Sequence, residues 1–153
     1  MPGFDEHIAL LEATIPVIEA AALVAAHTAM EIPFEQSQER VPKRTWSLHN
    51  SGHHELAEFI NETTVLDGIS YGGPSSPKEN VDYAIEVHEG TPSHEIEVHE
   101  SPSGRFIKGG TGRVKVLHHP GTKPRKFLEG PILESTPDME EVMGAVFGEV
   151  FNG

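Results

Sequence analysis

From Asp5 to about Glu31, apolar residues recur at Ile8, Leu11, Ile15, Ile18 and Ala22, the three- and four-residue spacing of one helical face. The pattern predicts a helix over 5–31. Pro16 lacks the amide proton that would bond the carbonyl of Glu12, so a kink or restart is expected there, and Ile32-Pro33 is expected to end the helix. Residues 34–41 are polar and read as a helix extension or loop. Between Glu55 and Tyr71, β-branched and aromatic residues with Gly68 and Asn61-Glu62 as punctuation favour a β-hairpin, with a short helix over His53–Asn61 as the competing assignment. Residues 72–80 form a Gly/Pro/Ser loop. Val81, Tyr83, Ile85 and Val87 then alternate with Asp82, Glu86 and His88 in the manner of a half-buried strand over Val81–His88. Two more strands are expected at Glu95–His99 and Arg113–His118, joined through glycine-rich turns as a long basic antiparallel hairpin. Val142, Met143, Val146 and Phe147 mark an amphipathic helix over 138–151. Helix, small antiparallel sheet (about 54–118) and helix make an α+β domain, taken as a single domain spanning 1–153.

Composition adds a charge asymmetry. The chain of 153 residues has 24 acids and 11 bases, a formal charge of −13, which disfavours attraction of the whole molecule to nucleic acid or an anionic membrane. Between Ser101 and Leu128, however, seven bases occur with no acid, leaving a balance of +7 there against −20 in the other 125 residues. Such segregation lets the basic stretch of one copy meet the acidic surface of another, or track phosphates. A solvated basic hairpin is the plainer alternative. With acids near the N-terminus, and with Pro16, Glu19 and His27 interrupting the apolar run from Ile15 to Met30, no signal peptide or membrane span is expected.

No cysteine is present, so disulfides, thiol nucleophiles and cysteine-ligated metals are excluded. The ten histidines invite a metal, but their spacing argues against one. His49 and His53 are separated by Gly52, no His-Glu-x-x-His sequence occurs, and His94 and His99 would point to opposite faces of a strand. Neither a Gly-x-Ser-x-Gly elbow nor a phosphate-binding loop is found. Neither catalytic residues nor metal ligands are assigned, and no cofactor is expected.

Three segments stand out: Pro42-Lys-Arg-Thr45-Trp-Ser-Leu48; Tyr83-Ala84-Ile-Glu-Val-His-Glu89-Gly90-Thr91, followed by His94-Glu-Ile; and His119-Pro120-Gly121-Thr-Lys123-Pro-Arg125-Lys126-Phe127-Leu128. In order and spacing they resemble the neck, or tail-completion, proteins at the head-to-tail junction of long-tailed double-stranded DNA bacteriophages. The resemblance covers about Ala20 to the C-terminus. Trp46 departs from it, standing where that family usually has glycine, and a non-glycine residue resists the positive φ of such a turn.

The resemblance implies a structural, non-enzymatic subunit of a homo-oligomeric ring, commonly hexameric, at the virion's head-to-tail interface, assembled in the host cytoplasm. Its partners would be other neck proteins, such as an adaptor or stopper ring and the tail terminator, and the tail tube. Double-stranded DNA would pass without sequence-specific binding, and no membrane would be involved. Inter-subunit or inter-ring contacts are expected at Glu89, Gly90, His94, Arg105, Lys108, Arg113, Lys115, His119, Lys123, Arg125 and Lys126. Pro42, Thr45, Leu48, Tyr83, Ala84, Pro120, Gly121, Phe127 and Leu128 are the motif's structural positions. A tail-terminator ring is the alternative within the same assembly, and a histidine-rich metal-dependent hydrolase is the alternative from another class.

Overall fold

Ala21, Ala25, Ala29, Pro33 and Ser37 form the buried stripe of helix α1, which runs without interruption from Phe4 to Arg40. Small residues at four-residue intervals leave a shallow ridge, so another backbone can approach closely. The computed structural model describes residues 3–73, 81–100, 106–107 and 113–152. Its class is α+β: a long N-terminal helix, small antiparallel sheets and a C-terminal helix. Two compact units are distinguished, Met1–Asp82 with Phe127–Gly153, and Tyr83–Lys126.

In the first unit, α1 packs chiefly on α4 (Glu129–Asn152), whose buried residues Pro131 and Ser135 are also small. Both helices outrun their expected bounds. α1 passes through Pro16 where residues 3–20 are all exposed, so water can solvate the carbonyl that lost its donor. It passes through Pro33 because that ring is itself buried in the packing stripe. The helix ends instead before Pro42, where Val41 takes the extended conformation (φ −62°, ψ 136°) that a following proline favours. α4 begins at Glu129 instead of 138 and contains Pro137, above the exposed Leu133 whose carbonyl loses its partner. The face expected to be buried on α1 is not: Ile8, Leu11, Ile15 and Ile18 are exposed, and burial begins only at Ala21.

After α1 come a short helix, α2 (Ser47–Ser51), and four short strands, β1 (His53–His54), β2 (Glu58–Asn61), β3 (Thr64–Leu66) and β4 (Ile69–Ser70). β2 and β3 pair antiparallel, as the hairpin reading predicts, around a turn in which Asn61 Oδ1 accepts from the Thr63 amide at 2.9 Å. β1 pairs with β4. Val41, Leu48 and Phe127 are the largest buried apolar side chains of this unit.

Val81–His88, which runs from the end of the first unit's Met1–Asp82 stretch into the second, does not supply the expected strand. Ala84–Glu89 is a short helix, α3, and the Val87 amide bonds back to the Tyr83 carbonyl at 3.1 Å. Its half-buried residues, Ala84, Val87 and His88, follow the three- and four-residue spacing of a helix, while Ile85 is exposed. Over so few residues, alternating Val, Tyr and Ile fit either period, and the stop at Gly90 (φ 75°) suits a helix end. A three-stranded antiparallel sheet follows, in the order β6 (Phe106–Ile107), β5 (His94–Glu100), β7 (Val114–His119). The expected strands at 95–99 and 113–118 thus pair directly, His94 opposite His119 and His99 opposite Val114. The turns of the expected basic hairpin, with Arg105 and Lys108, lie outside the described residues.

Candidate functional site

In the second unit, the two Gly-Thr dipeptides of the sequence motifs meet. Thr91 and Thr122 exchange backbone hydrogen bonds, Thr91 N to Thr122 O at 3.1 Å and Thr122 N to Thr91 O at 3.0 Å, with their hydroxyls 3.1 Å apart. Each preceding glycine has positive φ, 75° at Gly90 and 84° at Gly121. A methyl group on Gly90 would sit 2.5 Å from the Thr122 carbonyl oxygen, and one on Gly121 would sit 2.2 Å from that of Thr91. Both positions therefore require glycine for space as well as for backbone angle.

Several of the expected contact residues gather around this junction. The imidazoles of His94 and His119 lie 5.0 Å apart, with the Gly121 amide donating to His119 Nδ1 at 3.1 Å. The Arg125 amide donates to the carbonyls of Val87 and His88, and that of Lys126 to His88, fixing the basic segment against the end of α3. Lys126 Nζ donates to Glu89 Oε2 at 2.7 Å, so two residues expected to reach another subunit are joined to each other. Lys123, Arg125, Arg113 and Lys115 are exposed, as is Pro120.

Tyr83, exposed, and Ala84, half-buried, open α3 in the second unit, and Pro42, Thr45, Leu48, Phe127 and Leu128 are in the first. Leu48 and Phe127 are 2% and 1% exposed, so they anchor instead of contacting partners, and Phe127 meets the Tyr71 ring edge-on at 5.1 Å. Tyr71 also shares a 2.7 Å hydrogen bond with the buried Ser37 hydroxyl. Burial pushes the Tyr71 phenol up to about 12, with the Ser37 hydrogen bond pulling the other way. Gly52 packs where any side chain would strike Gln38 and Tyr71. Trp46 adopts the left-handed conformation (φ 63°) despite its large side chain; its ring meets His49 edge-on at 5.0 Å, with Lys43 Nζ 5.8 Å above it. Thr45 and Trp46 are exposed, and Pro42 is half-buried.

An extended apolar surface is exposed on α1. From Phe4 to Val24 it exposes eight large apolar side chains on two sides, with Asp5, Glu12 and Glu19 on a third, and a cleft of about 610 Å³ between Pro16–Val24 and Val146–Val150 of α4 continues that surface. α1 is long and apolar enough to cross a membrane by length and composition, a property that Pro16, Glu19 and His27 were expected to deny it. At its other end, Arg40 is bound bidentately by Glu134 of α4; that hydrogen-bonded guanidinium holds the Glu134 carboxyl below its ordinary range.

One cluster was missed in the sequence. His27, His54 and Asp67, on α1, β1 and the turn between β3 and β4, converge in the first unit, with Asp67 Oδ1 2.9 Å from His54 Nε2 and Oδ2 3.3 Å from His27 Nδ1. Spacings of 27 and 13 residues carry no local signal, whereas the pairs weighed from sequence, His49/His53 and His94/His99, were the near neighbours. No family model, curated protein or solved structure matches this chain.

Proposed function

We propose that the chain is a structural subunit of a phage head-to-tail junction, forming a homo-oligomeric ring that joins the DNA-filled capsid to the tail and surrounds the DNA channel. The observation that carries this reading is the N-terminal half of α1. Residues 3–20 are exposed throughout, with Leu10, Leu11, Ile15 and Val17 all more than half exposed. Large apolar side chains exposed on two sides of a helix belong against a larger body, and each gains about 1.5–3 kcal/mol on full burial. Neighbouring copies in a ring would supply that cover. The resemblance of the three motif segments supplies the identity of the assembly, and Leu48, Phe127 and the paired Gly-Thr dipeptides give those segments structural work suited to a shared scaffold.

Charge segregation fits the same reading. Head-to-tail contacts within a ring are heterologous, so a +7 segment on one copy can face acids on the next. An acidic channel wall would let DNA pass without adhering. Tail-terminator rings share these demands and remain the alternative position in the junction. Native mass spectrometry of the full chain, alone and with neck partners, together with labelling of intact virions, tests the proposal. A hexameric ring and label at the head-to-tail interface are expected; absence of the chain from mature particles overturns it.

A second reading, an N-terminal membrane anchor, draws on the length and apolar character of α1. Flotation with lipid vesicles separates the two, since a ring subunit stays in the aqueous fraction and an anchored chain rises with the lipid.

A further inference from the structure

We propose that His27, His54 and Asp67 form a binding site for one divalent transition-metal ion of the zinc or nickel class. The Asp67 carboxylate is 3% exposed and His54 8%, while His27, at 34%, stands at the open side. Each carboxylate oxygen faces one imidazole nitrogen, and the donor atoms lie within 4.8 Å of one another. A tetrahedral ion with ligands at about 2.0–2.1 Å sets neighbouring donors roughly 3.4 Å apart. The 2.9 and 3.3 Å nitrogen–oxygen separations already approach that spacing. Bringing the two nitrogens onto one ion needs the imidazoles, stacked at 4.1 Å and 20°, to tilt towards each other.

Two imidazoles and one carboxylate select the class of ion. They are borderline donors suited to zinc, nickel or cobalt, whereas magnesium and calcium prefer oxygen alone. The Gly68 amide, 2.6 Å from Asp67 Oδ1, fixes the orientation of the carboxylate in the manner of outer-shell support. Entry is available from a cleft of about 290 Å³ lined by Val24, His27, Thr28 and Leu56. Three protein ligands leave a position for water. The ion's role in the fold is to tie α1 to β1 and the β3–β4 turn, adding to the stacked His27 and His54 rings, the Glu55 amide bond to the Gly68 carbonyl and the hydrogen bonds to Asp67. This site is independent of ring assembly, because every ligand belongs to one unit of one chain.

Titration of chelator-treated, untagged full chain with zinc, followed by calorimetry, tests the site. One ion per chain is expected, with a melting temperature raised on the order of 5–10 °C at hundredfold excess over Kd. His27→Gln should lower affinity on the order of 100-fold or more, while His94→Gln/His119→Gln should leave it unchanged. Unsaturable uptake, or uptake lost in the His94/His119 variant and retained in His27→Gln, overturns the proposal. Cobalt(II) substitution of the unmodified chain gives a reading that needs no variant: X-ray absorption fitted by two imidazoles supports the site, and an imidazole-free shell overturns it.

Discussion

Thr91 and Thr122, 31 residues apart, face each other as an isolated antiparallel pair whose backbones and hydroxyls both bond, each preceded by a left-handed glycine pressed on the other's chain. The arrangement makes Gly90 and Gly121 hard to replace, since any side chain would strike the facing backbone. Gly90→Ala and Gly121→Ala should each destabilise it by about 2–4 kcal/mol, from left-handed strain plus displaced backbone contacts. Thr91→Val, which removes the hydroxyl contact and the 3.2 Å bond that the hydroxyl accepts from the Thr122 amide while leaving the backbone pair intact, should cost about 1 kcal/mol. Hydrogen exchange at the amides of β7 measures the difference, and equal protection in the alanine variants would show that the close approach does not constrain the unit.

Lys126 is already paired with Glu89, so a charge-reversal test of docking should leave it alone. Lys123→Glu/Arg125→Glu changes two exposed bases and should shift monomer stability by no more than about 0.5 kcal/mol each. Particle completion should nevertheless fail if this segment meets an acidic neighbour. Normal yields of infectious particles carrying the double variant would remove the basic segment from the contact surface.

The apolar half of α1 gives the complementary test. Leu11→Glu/Ile15→Glu alters side chains 65% and 53% exposed, so the isolated chain should keep its helix content and melting temperature within a few degrees. Ring formation should be lost, because two charges would enter a dry interface without partners. Sedimentation of the variant beside the unmodified chain reads this directly, and rings formed equally by both would place the interface elsewhere.

Trp46 occupies a backbone conformation that disfavours any residue with a Cβ. Trp46→Gly relieves about 1–2 kcal/mol of left-handed strain and gives back about 0.4–1 kcal/mol through a more flexible unfolded chain, along with the ring contacts to His49 and Lys43. A net change within about 1 kcal/mol of zero is expected. Trp46→Val, β-branched and without the ring contacts, should be the least stable of the three, and a Val variant that melts below both the Gly variant and the unmodified chain in thermal denaturation checks the assignment.

How much of this was legible beforehand follows from the range of each interaction. The β2–β3 hairpin and the strands β5 and β7 were readable because alternation and turn residues act over a few positions. α3 was misread because Tyr83-Ala84-Ile85-Glu86-Val87 supports both periods and only the bond from Val87 back to Tyr83 decides. The buried face of α1 was misread for a different reason: its packing surface is a stripe of Ala, Pro and Ser, which hydrophobicity ranks below the exposed Ile and Leu. The Gly90 and Gly121 motifs were visible as words, but not their mutual contact. His27, His54 and Asp67 were invisible, since only tertiary folding brings them together.

Tyr71 supplies a test of the first unit's core that depends on pH. Its phenol, ordinarily near 10.0, is pushed up to about 12 chiefly by burial, so the folded state favours the neutral form. A raised folded-state value means the stabilisation is fully present below pH 10 and is lost as pH rises through about 12. Tyr71→Phe removes both the titration and the hydrogen bond to Ser37, whose hydroxyl still donates to the Phe34 carbonyl at 2.7 Å. At neutral pH the variant should therefore lose about 1 kcal/mol. Between pH 10 and 12 the deficit should shrink, because only the unmodified chain carries a phenol that must ionise against its burial. Denaturant titrations of both chains across that range, taken as a difference, isolate the phenol from the lysines that titrate nearby. A difference that stays constant with pH would show that Tyr71 is solvated, and that the Ser37–Tyr71–Phe127 contact does not close this side of the core.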